Sequence, residues 1–192
     1  MTHSSPPSRE SAGERTGHLV LVGMMGSGKS TVGQALAARL HRPFADSDAL
    51  IEARTGQTVK QIFAERGEPA FRAEESAVLE EALASPSPAV IAAAGGAVLD
   101  AANRRLLRAA ARSGLVVWLR AAPAVLAQRV VPSLASGGHR PLLEHDPAEA
   151  LNRLDAIRRP LYEEVADIAI DVDDRSVDEI ADIVLARMEE RP

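Results

Sequence analysis

Apolar positions along this chain fall into two kinds of run. The short ones are nearly unbroken: Leu19-Val20-Leu21-Val22, Ala89 to Ala93, Leu115 to Leu119, and Ile168 to Val172, interrupted once by Asp171. Brief apolar runs bounded by glycine, proline or charge read as strands covered on both faces, the habit of parallel sheets. The first is expected to begin at His18, and Pro43-Phe44-Ala45 predicts a further short strand ending at Asp46. Between these runs, apolar residues recur every three or four positions, the period of a helix with one buried face. That period predicts helices over Lys29–Leu40, Ser47–Arg54, Thr58–Arg66, Glu68–Ala84, Ala101–Arg112, Pro123–Val131 and about Ala148–Glu164. Pro86, Pro88 and Gly114 punctuate them. Ser176 followed by Glu179 reads as a capping box that opens a last helix. Strands alternating with helices predict an α/β fold around a parallel sheet, whose ligands gather at the carboxyl ends of the strands.

Composition narrows the class. At 192 residues the chain suits one domain able to bury its own core. Apolar residues make up 46% and charged residues 26%, ordinary for a globular protein, and no apolar run approaches a membrane span. The stretch Met1–Gly17, rich in Ser, Pro, Glu and Arg, has no hydrophobic segment and is expected to be a disordered tail before a single domain over 18–192. With no cysteine, disulfides and thiolate catalysis are excluded and a cytoplasmic location is expected. A net charge of −5 argues against a general nucleic-acid surface, so an anionic ligand must be held by local cations.

One motif dominates the chemistry. Gly23-Met24-Met25-Gly26-Ser27-Gly28-Lys29-Ser30-Thr31 fits G-x-x-x-x-G-K-[ST], with a predicted strand before it and a predicted helix after it. Gly26, Ser27 and Gly28 can turn backbone N–H groups toward a polyphosphate, aided by the positive end of the helix. Lys29 brings a point charge, and the Ser30 hydroxyl can ligate Mg²⁺, with Thr31 beside it.

Other candidates are weaker alone. In Asp46-Ser47-Asp48 one carboxylate can serve a metal and the other a substrate hydroxyl, or an aspartate can simply cap a helix. Arg72 runs against the dipole preference near a helix start, which suits a bidentate grip on a carboxylate; pairing with Glu65, Glu68 or Glu75 is the plainer reading. Gly95-Gly96 permits close backbone approach or makes a tight turn. Arg140, among glycines and prolines, is either a mobile-loop cation that caps a transferring phosphate or a solvated loop residue. Arg129 reads as a surface charge as readily as a phosphate ligand, Arg158 reads first as one of a basic pair near a helix end, where cations are favourable, and Arg175, in a turn after Asp173-Asp174, draws no notice alone.

Taken together in this order, these segments resemble the shikimate kinases, small P-loop kinases of the nucleoside monophosphate kinase-like group. The likeness rests on the phosphate loop, Phe44-Ala45-Asp46-Ser47-Asp48, Gly67-Glu68-Pro69-Ala70-Phe71-Arg72, Gly95-Gly96-Ala97-Val98, Arg140-Pro141-Leu142-Leu143 and Arg158-Arg159-Pro160-Leu161-Tyr162, and it spans the chain from about His18 onward. It implies a three-layer α/β/α fold on a five-stranded parallel sheet of order 2-3-1-4-5. It also implies an acceptor-binding region at about 47–84 and a lid at about 131–147.

Activity and site follow from the same resemblance. The γ-phosphoryl of ATP would pass to the 3-hydroxyl of shikimate, with Lys29, Asp48 and Arg140 catalytic. Gly26 to Thr31, Arg129, Arg140 and Arg175 would bind ATP. Asp48, Arg72, Gly95, Gly96 and Arg158 would bind shikimate, and Ser30 and Asp46 would serve Mg²⁺. ATP and shikimate are the expected partners, without nucleic acid or membrane, on a monomer. Two departures stand out: Ala94 occupies the first of three usual glycines, and Val131–His139 is longer than usual. The rival readings are another small-molecule kinase, such as gluconate kinase, and a non-catalytic nucleotide-binding P-loop protein.

Overall fold

The computed structural model describes residues 17–135 and 146–190. Its elements are β1 (Leu19–Val22), α1 (Lys29–Leu40), β2 (Phe44–Asp46), α2 (Ser47–Thr55), α3 (Val59–Ala84), β3 (Val90–Ala92), a 3₁₀ turn (Ala97–Leu99), α4 (Ala101–Ala110), β4 (Leu115–Arg120), α5 (Pro123–Ala135), α6 (Pro147–Val165), β5 (Ile168–Asp171) and α7 (Val177–Glu190). The five strands form one parallel sheet in the order β2-β3-β1-β4-β5. This is the α/β topology expected from the sequence.

β1 lies at the centre, with Leu19 opposite Val90 on one side and Leu115 on the other. All four of its residues are buried, as are the three of β3. Successive strand residues point to opposite faces, so uniform burial requires helices on both. α1 packs with α7, while α4 and α6 pack together and against β4, which supplies those layers. Leu19, Leu21 and Leu119 are wholly enclosed. Burying such a side chain contributes about 2 kcal/mol, which fixes the strand ends firmly. Those ends (Gly23, Asp46, Ala93 to Gly96, and the residues after Arg120 and Asp171) all emerge on one edge of the sheet.

Helix boundaries follow the sequence reading closely. Non-helical backbone at Gly67 (φ 79°, ψ 171°) kinks α3 into two helical stretches, as the two helices predicted on either side of that residue require, and Pro69 sits where a helix start tolerates it. α5 continues past Val131 through Pro132 to Ala135. α6 runs from Pro147 through Pro160 to Val165, within a residue of the expected bounds at each end, with Arg158 inside it. A proline costs a helix one hydrogen bond, which tertiary packing offsets: Tyr162 and Val165 beyond it are both buried. Gly17, assigned to the tail, is buried, and its carbonyl accepts from Arg42 at 3.0 Å. The rest of Met1–Gly17 and most of the expected lid, Arg140 included, lie outside the described residues.

Candidate active site

The phosphate loop follows β1 without a spare residue. Gly23 has φ 145°, and a Cβ there would lie 2.5 Å from the Leu119 carbonyl oxygen, so nothing larger fits. Gly28, at φ 90°, occupies the N-cap of α1 and offers no capping side chain. The first N–H groups of α1 therefore remain for a ligand. Lys29 Nζ bridges the loop by donating to the carbonyls of Gly23 (2.8 Å) and Met24 (2.9 Å). Ser30 Oγ donates to Asp46 Oδ2 at 2.5 Å, while Oδ1 of the same carboxylate accepts from the Asp48 N–H at 3.0 Å. Asp46 is thus both the cap of α2 and the neighbour of the loop serine, and the two readings of this residue are compatible.

A cavity of about 500 Å³ spans this edge, lined by the loop from Met25 to Val32, Asp46, Asp48, Gly95, Arg129 and Arg175. Both arginines are anchored on the end of β5 and the residues that follow it. Arg129 Nη2 donates to the carbonyls of Val172 (2.7 Å) and Asp173 (3.1 Å), and Arg175 Nε donates to that of Asp171 (3.0 Å). Among the described residues no three His, Asp or Glu side chains converge as a metal cage. The adjoining Ser30 and Asp46 oxygens are hard donors of the kind Mg²⁺ accepts while keeping phosphate and water ligands, so the residues present fit that ion.

Two further arginines meet beside the cavity. Arg72, on α3, donates from Nη1 to Glu75 (2.6 Å) and from Nη2 to Glu68 (2.7 Å). Its guanidinium lies so close to Gly96 that a Cβ there would approach Nη1 to 1.9 Å. Gly96 has an ordinary φ of −91°, so close approach, not backbone conformation, demands glycine at this position. Arg158, 2% exposed, donates from Nη1 to the Gly95 carbonyl at 3.2 Å, and its Nε has no acceptor among the described residues. Gly95 thus accepts from one arginine, and Gly96 lies against the other. Ala94 is unstrained: among the described residues His41 is the only non-glycine with positive φ.

Electrostatics ties the group into one cluster. Burial pushes the Glu75 carboxyl above the ordinary range, and the charge of Asp48 adds to the rise, while Arg72 and Arg158 oppose it. Burial pulls the Arg72 guanidinium down, but Glu75 and Glu68 outweigh it and raise it overall. Burial likewise raises the Tyr162 hydroxyl well above its usual value, with Arg158 opposing. That hydroxyl donates to the Gly95 carbonyl at 2.7 Å. The plainer reading of Arg72, pairing with Glu68 or Glu75, is thus borne out, while the sequence reading gave neither Glu75 nor Tyr162 a place in the site itself. The available signal was helical spacing, since each lies one turn beyond an arginine already singled out, Glu75 after Arg72 and Tyr162 after Arg158.

Comparison with known proteins agrees with this geometry. Residues 25–189 match the family model described as shikimate kinase. The chain is 46% identical over 176 residues to a shikimate kinase of Symbiobacterium thermophilum, covering 91% of this chain and 97% of that protein. It is 45% identical over 176 residues to one from Pseudomonas syringae pv. tomato, covering 91% of this chain and 98% of that one. Among solved structures, shikimate kinase from Acinetobacter baumannii in complex with shikimate superposes with a TM-score of 0.81 at 38% identity, covering 89% of this chain and 92% of that chain.

Proposed function

The chain belongs to the shikimate kinase family, and from that premise we propose that it transfers the γ-phosphoryl group of ATP to the 3-hydroxyl of shikimate, releasing ADP. One observation carries the reading: Arg72 and Arg158 meet on the Gly95-Gly96 turn, beside a loop shaped for a polyphosphate. Two guanidinium groups on one turn suit a small carboxylic acid.

Phosphoryl transfer needs alignment and charge neutralisation more than covalent help. The amides of Gly26 to Thr31 hold the phosphates, and Lys29 leaves the loop carbonyls to spread the charge of the moving group. Arg129 and Arg175 bracket the nucleotide. Arg72 and Arg158 grip the acceptor carboxylate, the Gly95 and Gly96 backbone seats the ring, and Asp48 orients the hydroxyl and takes its proton as the bond forms. Ser30 and Asp46 would hold Mg²⁺, which supplies charge neutralisation on the phosphates when bound. Arg140, on a lid at about 131–147, completes the cage and helps exclude water. A single kinase domain over 18–192, with its acceptor region at 47–84, works as a cytoplasmic monomer with ATP and shikimate as its partners. Among the described residues no helix is long and apolar enough to cross a membrane.

The test is coupled measurement of ADP released from ATP and Mg²⁺ with shikimate, with gluconate, or with no acceptor. Release that depends on shikimate is expected. Release with gluconate alone would make the chain a gluconate kinase. Nucleotide binding without acceptor-dependent release would make it a non-catalytic nucleotide-binding protein.

A further inference from the structure

The Gly95 carbonyl accepts from two groups one helical turn apart on α6, the Tyr162 hydroxyl at 2.7 Å and Arg158 Nη1 at 3.2 Å. The ring behind that hydroxyl is completely enclosed and stacks on Trp118 of β4, with centroids 5.6 Å apart and planes 26° from parallel. The core of the sheet thus dictates where the hydroxyl sits. The described peptide bonds are all trans. In a trans peptide the C=O and the following N–H point in opposite directions, so fixing the Gly95 carbonyl toward α6 turns the Gly96 N–H away from it. A link between two glycines is the least constrained in a chain and has no side chain to resist rotation. Rotated, it would present a carbonyl dipole where it now presents an N–H, beside two arginines that would hold a carboxylate.

We propose that Tyr162 is a positioning residue for the acceptor substrate, its hydroxyl locking the Gly95-Gly96 peptide so that the Gly96 N–H and not a carbonyl oxygen is offered to the carboxylate. The inference deepens the shikimate reading and rests on it. Arg158 cannot do this alone, because on that reading its guanidinium turns part of its hydrogen-bonding capacity to the ligand. Tyr162 keeps its bond throughout, and its raised pKa keeps it a donor across the working range of the enzyme.

The test is steady-state kinetics of Tyr162→Phe, which keeps the ring and its stacking and removes only the hydroxyl. The expected result is a shikimate KM raised at least five-fold, an ATP KM within two-fold of wild type and a kcat within about three-fold. A merely structural tyrosine would lower the folded fraction and leave both KM values alone. A smaller rise in the shikimate KM, or equal rises in both, overturns the proposal. Should the variant not fold, the wild-type chain provides the measurement. Tyr162 is its only tyrosine, so incorporated 3-fluorotyrosine reports this position alone. Its ¹⁹F resonance should move on addition of shikimate and not of ATP; no movement with shikimate, or equal movement with both, overturns the proposal. A wild-type enzyme without shikimate-dependent turnover would sink the functional reading and this inference together. A working wild type beside an unaffected Tyr162→Phe sinks the inference alone.

Discussion

Arg72 Nη1 lies 2.6 Å from the Glu75 carboxylate, and Glu75 is only 2% exposed, so the arginine is aimed before any substrate arrives. The orientation has a cost, since a buried carboxylate loses its hydration and one guanidinium does not fully replace it. On the proposed reading, an incoming carboxylate would meet Arg72 already held in place by Glu75 and Glu68.

Replacing Arg72 with alanine should therefore act on one substrate. The shikimate KM should rise at least about ten-fold while the ATP KM stays within about three-fold, because the lost contact is a charge-assisted bond. The variant also leaves Glu75 buried without its main partner, and such orphaned charges cost about 3 kcal/mol or more. Adding Glu75→Gln should recover part of the lost thermal stability without restoring the KM. A rise confined to the ATP KM would remove Arg72 from the acceptor site.

The same pair predicts a pH dependence of stability. Glu75 has a raised pKa in the folded protein, so the native state holds its proton more tightly than the unfolded chain does. Its contribution is fully present below the ordinary value of 4.5 and is lost as pH rises through the higher folded value. Wild type and Glu75→Gln should agree in urea denaturation at the acid end and diverge in favour of the glutamine variant as pH increases. A constant difference across that window would contradict the assignment.

Lys29→Ala should lower kcat by about 100-fold or more, the scale of losing one preorganised charge at a transferring group. Its hydrogen bonds to the Gly23 and Met24 carbonyls lie within its own loop, and the melting temperature should change far less than kcat. Turnover near the wild-type rate would remove Lys29 from catalysis.

A single methyl group at Gly96 is a finer probe. Gly96→Ala meets no forbidden backbone angle, yet its Cβ would displace the Arg72 guanidinium. The expected outcome is a raised shikimate KM, an unchanged ATP KM and a melting temperature within a few degrees of wild type. A normal shikimate KM would mean that the contact has no role in binding.

Asp46→Asn separates the two duties of that residue. Asparagine caps helices about as well as aspartate, so stability should hold. Losing the negative charge beside Ser30 should raise the Mg²⁺ concentration needed for half-maximal turnover several-fold. A metal titration that overlays the wild-type curve would remove Asp46 from the metal site.

Much of this protein was legible in its residues alone. Apolar runs and helical periods located the strands and helices because both patterns are local, and G-x-x-x-x-G-K-[ST] announced the phosphate site because the chain itself forms that cradle from consecutive residues. The capping box of Ser176 and Glu179 fixed the start of the last helix for the same reason. Tertiary structure alone decided that Arg72 and Arg158, 86 positions apart in the sequence, share the Gly95-Gly96 turn, and that Glu75 and Tyr162 sit buried behind them. These meetings depend on how α3 and α6 close over the carboxyl edge of the sheet. No single segment encodes that arrangement, because long-range contacts and the loss of solvent arise only once separate elements pack together.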